Sequence, residues 1–152
     1  MLTLQVLPID IIPKRKPEKQ SIWQRRFWNT VSVKVWKIDR NAILRRLERW
    51  ARKIGKNEKV VAVILFGSLA RRDYTAASDA DILIILRNSS VRFDERIPTF
   101  LPSDIGIGVD VFPYTIDEVK KALKEEWGVA RFALEESLFL FKREREFNKF
   151  FG

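Results

Sequence analysis

The chain has 152 residues, 46% of them hydrophobic, which is enough for one sizeable core and a single domain-sized unit. It carries 29 Lys and Arg against 20 Asp and Glu, for a net charge of +9, and contains neither cysteine nor histidine. Those absences exclude a disulfide framework, thiolate chemistry, a histidine general base, a Ser-His-Asp triad and zinc sites built on His or Cys, and leave carboxylates as the acid–base and metal-binding groups.

Charged residues make up 32% of the chain and there is one Met, a composition compatible with a thermophilic source. Residues 1–12 are apolar and β-like, but they lack a basic start, contain Pro8 and Asp10, and do not end in a small-residue cleavage site, so no targeting segment is expected. No run approaches the roughly 20 apolar residues that cross a bilayer. The expectation is a soluble, cytoplasmic protein with no membrane partner.

Residues 13–19, PKRKPEK, read as a basic, proline-punctuated linker. Trp23, Phe27 and Trp28 with Arg25 and Arg26 form an aromatic-basic patch, and Val31, Val33 and Val35 then alternate as a strand. Asp39 is a good N-cap for a helix reaching about Gly55, with Ile43, Leu44, Leu47, Trp50, Ala51 and Ile54 as its apolar stripe. Its opposite face, Arg40, Arg45, Arg46, Arg49, Arg52 and Lys53, reads as a solvated surface.

The most informative stretch is GSLARRDYTAASDADILIIL, residues 67–86. The run VVAVILF before it is a buried strand. Gly67 then removes the Cβ that would keep a phosphate from the backbone, and residues 69–73 can form a short helix whose N–H groups and Ser68 hydroxyl face that phosphate. Asp79 and Asp81 open the next strand. Side chains alternate faces along a strand, so both point the same way, with Ala80 turned aside. Two like charges side by side destabilise each other unless solvated, protonated or neutralised by a cation. Magnesium is the natural cation, a hard ion that takes carboxylate and phosphate oxygens. Ser78 as a turn residue, Asp73 as a cap and Arg71 as a surface charge are the plain structural readings beside these.

Farther along, 88–91 is a turn, and 93–101 crosses back, as a short helix, in a βαβ-like rhythm. Thr115 caps a helix to about Glu125, and residues 129–136 form another. An apolar segment at 138–141 precedes a tail in which Phe147, Phe150 and Phe151 fold back on the core or make a self-association contact.

The pattern G-S-x-A-R-x-D followed by S-D-x-D resembles the signature of the DNA polymerase beta nucleotidyltransferase superfamily, in its minimal nucleotidyltransferase branch. Gly67, Ser68, Ala70, Arg71, Asp73, Ser78, Asp79 and Asp81 match it. The resemblance implies an α+β fold, a small mixed sheet flanked by helices, that transfers a nucleoside monophosphate from a triphosphate with two magnesium ions. It also implies a third carboxylate, for which Asp110 stands in the alternating segment 105–114. There Ile107, Val109 and Val111 share one face and Asp110 lies on the other beside Phe112. Asp79, Asp81 and Asp110 are then the catalytic and metal-holding set, with Gly67, Ser68, Arg71, Arg72 and Ser78 against the nucleotide. Arg71 or Arg72 would balance charge on the departing pyrophosphate. One departure from the branch is Arg72, where glycine is usual.

The resemblance covers the core from about Val60 to Tyr114. It places a nucleotidyltransferase domain at 38–152, behind an arm, linker and short strand at 1–37. It further implies ATP as donor and a HEPN-family toxin as partner, a tyrosine of which receives AMP while this chain acts as antitoxin. Two other readings stand beside it. One is a catalytically silent module that neutralises a partner by surface contact, and the other an RNA-modifying nucleotidyltransferase, since a basic surface attracts polyanions although no RNA-binding motif is present. Homo-oligomerisation through Trp and Phe surfaces is also expected.

Overall fold

A computed structural model describes residues 2–6 and 34–152, with side chains from residue 37 onward. The basic linker at 13–19, the patch at Trp23, Phe27 and Trp28, and Val31 and Val33 lie outside the described residues. Strand β1 (Leu2–Val6) pairs antiparallel with β2 (Lys34–Ile38), which holds Val35 and leads directly into helix α1 (Arg40–Ile54). The 37/38 boundary therefore falls within β2.

Helix α1 begins where expected, because the Asp39 carboxylate accepts a bond from the Ala42 N–H at 3.1 Å. Ile43, Leu47 and Ala51 recur at helical spacing and are buried. The basic face is less uniform than the sequence implied. Arg40 and Arg46 are half-buried and bind main-chain carbonyls, Arg40 Nε donating to Leu69 O at 2.9 Å and Arg46 Nη1 to Ile105 O at 3.0 Å. Arg45, Arg49, Arg52 and Lys53 remain exposed.

The main sheet has four strands in the order β5-β4-β3-β6, with β3 (Val60–Phe66), β4 (Ala80–Leu86), β5 (Val109–Thr115) and β6 (Leu138–Lys142). β3 runs antiparallel to β4 and β6, whereas β4 and β5 are parallel, joined through α3 (Phe93–Phe100). This is the mixed sheet flanked by helices, with its βαβ step, that the sequence predicted. Every residue of β3 is buried because both faces are covered. Val63, Leu65, Ile82 and Ile84 pack with Leu47 and Ala51 of α1 on one side. Ile64, Phe66, Leu83 and Ile85 pack on the other with Val119 of α4 (Ile116–Lys124), Ala130 and Ala133 of α5 (Ala130–Glu135), and Phe147 of α6 (Glu144–Phe151).

Thr115 caps α4 through a capping box, exchanging bonds with Glu118. Phe147 is buried, so the tail folds back on the core. The segment at 138–141 proves to be an edge strand, an assignment a run of four apolar residues cannot carry alone. Among the described residues, no helix is long and apolar enough to cross a membrane.

Candidate active site

The C-terminal end of β3 and the N-terminal ends of β4 and β5 meet at one end of the sheet. Gly67 follows β3 at once, with φ +72°, a backbone that side chains disfavour. It opens helix α2 (Gly67–Arg71), two residues earlier than the helix expected at 69–73. The difference is physical: glycine's left-handed φ lets the chain leave the strand and wind up without an intervening turn.

Asp81 is the second residue of β4 and stands in register with Phe66 of β3 and with Asp110 of β5. Residues paired across adjacent strands share a face, about 5 Å apart along the hydrogen-bonding direction, so the Asp81 and Asp110 side chains project together. Asp79 lies just before β4 rather than inside it, because the strand starts at Ala80, whose N–H donates to Gly108 O at 2.9 Å. Two glycines make room for these acids. A Cβ on Gly67 would collide with Asp81 Oδ2, and one on Gly108 with Asp79 Oδ1. Gly67 therefore supplies both the turn and the space beside a carboxylate, and Gly108, which the sequence reading passed over, does the latter for Asp79.

Burial raises the Asp81 carboxyl above its ordinary value, and repulsion from Asp110 and then Asp79 raises it further, while Arg71 opposes the shift. Asp81 thus feels both of the other carboxylates. The three are not gathered into a ligand cluster: among the described residues, no three acidic side chains converge on a point that could hold a metal. Asp79 lies against Gly108 and Asp81 against Gly67. The donor chemistry still fits magnesium, since the site offers hard carboxylate oxygens and its glycines leave space beside them.

The other expected residues divide. The Arg71 guanidinium is exposed, with Nε 3.2 Å from Asp73 Oδ2 and 3.8 Å from Glu136 Oε2, and its field reaches Asp81. Ser68 is half-buried in the first turn of α2, and its carbonyl accepts from the Asp73 N–H at 3.2 Å. The Ser78 hydroxyl accepts from the Thr75 N–H at 2.8 Å, which ties it to closing the 75–78 turn. Arg72 caps α2 in the left-handed conformation, φ 70° and ψ 16°. That is a conformation glycine adopts readily, so the residue that breaks the motif keeps the turn that glycine would make. Arg72 then faces Lys37, Arg40 and Tyr74 on the α1 side of the molecule.

Beside Gly67, a cavity of about 360 Å³ is lined by Phe66, Gly67, Arg71, Phe132, Glu135 and Glu136. Neither Phe132 nor Glu136 was legible as a site residue, because α5 comes to this end of the sheet only through the fold.

No curated protein matches the chain in sequence. Among solved structures, a candidate nucleotidyltransferase from Sulfolobus solfataricus is 19% identical with a TM-score of 0.45, the likeness covering 72% of this chain and 93% of that one. A toxin–antitoxin structure with AMP-PNP is 17% identical with a TM-score of 0.41, covering 74% of this chain and 81% of that one. The nucleotidyltransferase domain family matches residues 45–140, more than half the chain and a span that takes in the Gly67 turn and all three aspartates. On that match, the chain belongs to the nucleotidyltransferase domain family.

Proposed function

We propose that the domain at 38–152 moves AMP from ATP onto a hydroxyl of another protein, a tyrosine of a HEPN-type toxin that it thereby silences. The observation that carries the catalytic part is the register of Asp81 with Asp110 beside the Gly67 turn. Asp79, Asp81 and Asp110 would hold magnesium, which when bound neutralises phosphate charge and stabilises the entering and leaving oxygens.

The chain's own groups do the rest. The Gly67 turn and the Ser68 hydroxyl receive the phosphates, and Arg71 balances charge on the pyrophosphate. Asp110 accepts the proton of the acceptor hydroxyl as its oxygen bonds to the α-phosphorus. The bond from that phosphorus to the bridging oxygen breaks, and pyrophosphate departs with the electron pair. The acceptor and its family follow from the motif's resemblance to the minimal branch. Arg72, the one departure, does not favour a silent module, because its left-handed cap keeps the turn.

Incubation with ATP, magnesium and a purified HEPN-family protein from the same source tests the acceptor. Mass spectrometry is expected to find one AMP adduct on a tyrosine of that protein, lost with Asp79→Asn. Neutralisation of the partner with no adduct, undiminished in Asp79→Asn, would contradict the proposal.

A further inference from the structure

Phe132 is 67% exposed, the most exposed of the large apolar side chains among the described residues, and it stands on the wall of the cavity beside Gly67. An aromatic ring left in water forgoes its burial energy, so its position calls for an occupant. The cavity joins the candidate site directly. Gly67 and Arg71 belong to both, and Phe66, on its floor, is the residue paired with Asp81.

Resting on the nucleotidyl-transfer reading, we infer that this cavity receives the nucleoside of the donor triphosphate, with its base stacked on Phe132. Size and charge both support that occupant. About 360 Å³ holds a nucleoside, and the phosphates lie at the Gly67 and Arg71 side, away from Glu135 and Glu136, which would repel them. Glu135 already accepts from Arg131 Nε at 2.9 Å, whereas among the described residues the Glu136 carboxylate meets only Arg71, at 3.8 Å. Glu136 is thus the better placed acceptor for an exocyclic amino group, which adenine carries and uracil lacks. Phe132 and Glu136 act here as specificity residues, and neither touches the reacting atoms.

The test compares binding of ATP, UTP and inorganic tripolyphosphate to the wild-type chain, Phe132→Ala and Phe132→Tyr. In Phe132→Ala, ATP should bind roughly 10-fold more weakly, about the worth of one base–aromatic stack, with tripolyphosphate unchanged. Phe132→Tyr should keep ATP affinity, and wild type should bind UTP less well than ATP. Equal losses of ATP and tripolyphosphate would show a structural role for the ring and overturn the inference. So would unchanged ATP affinity in Phe132→Ala. A folded wild-type chain that binds neither ATP nor tripolyphosphate would instead overturn the nucleotidyl-transfer reading on which this rests.

Discussion

Asp81 sits in a place that destabilises its own charge. Its carboxyl is raised above the ordinary value of 3.8 by burial and by the neighbouring Asp110 and Asp79. The folded state therefore takes a proton more readily than the unfolded chain. The resulting stability is fully present below the unfolded value and is lost as pH rises through the folded one. Asp81→Asn removes the charge and keeps the shape. Its melting temperature is expected to exceed that of wild type at neutral pH, and the difference should vanish below about 3.8, where the native carboxyl is already protonated. A thermal scan across pH checks both halves. Arg72 gives a second prediction at this scale. The left-handed conformation costs a non-glycine residue about 1–2 kcal/mol, and glycine brings back about 0.4–1 kcal/mol of unfolded-chain entropy. Arg72→Gly is therefore expected to stabilise the fold by about 0–1.6 kcal/mol, while leaving transfer intact. Denaturant unfolding and the transfer assay measure the two.

Among the elements, those with a strong local signal were legible in the sequence. The Asp39 cap and apolar stripe marked α1, unbroken apolar runs marked β3 and β4, and Thr115 marked the start of α4. Where one signal is shared between two elements, the boundaries differ from those expected. Gly67 serves as the end of a strand and the start of a helix, which moved α2 by two residues, and segment 105–114 yields a strand only from Val109. What could not be read at all depends on distant partners. Arg96, inside α3, is buried because it donates to Pro113 O and binds the Glu118 carboxylate with two nitrogens at 2.7 and 2.8 Å. Arg40 reaches from α1 to the last carbonyls of α2, at Leu69 and Ala70. That contact ties the phosphate-turn helix to the rest of the fold. Arg40→Ala should cost about 1–3 kcal/mol, the range for a lost charged hydrogen bond to a half-buried carbonyl. It should also raise the KM for ATP, while Arg40→Lys recovers part of the stability. A loss of stability with KM unchanged would mean that α2 holds its place without Arg40.

At the scale of the whole molecule, one end of a mixed sheet collects the motif. The antiparallel β3–β4 pair brings the Gly67 turn against Asp81, and the parallel β4–β5 pair brings Asp110 beside it. Sequence spacing implied the first meeting, since the two strands are close in the chain. The second needed the crossover through α3, and the cavity at Phe132 needed α5 as well. The central claim is that these parts transfer a nucleotide and not a bare phosphate. Its most direct test gives the chain ATP labelled at either the α- or the γ-phosphate, with magnesium and its acceptor, and compares wild type with Asp110→Asn. Label moving to the acceptor from the α-phosphate alone, with release of pyrophosphate and loss of both in Asp110→Asn, is the predicted result. Transfer from the γ-phosphate, or α-transfer undiminished in Asp110→Asn, would contradict it.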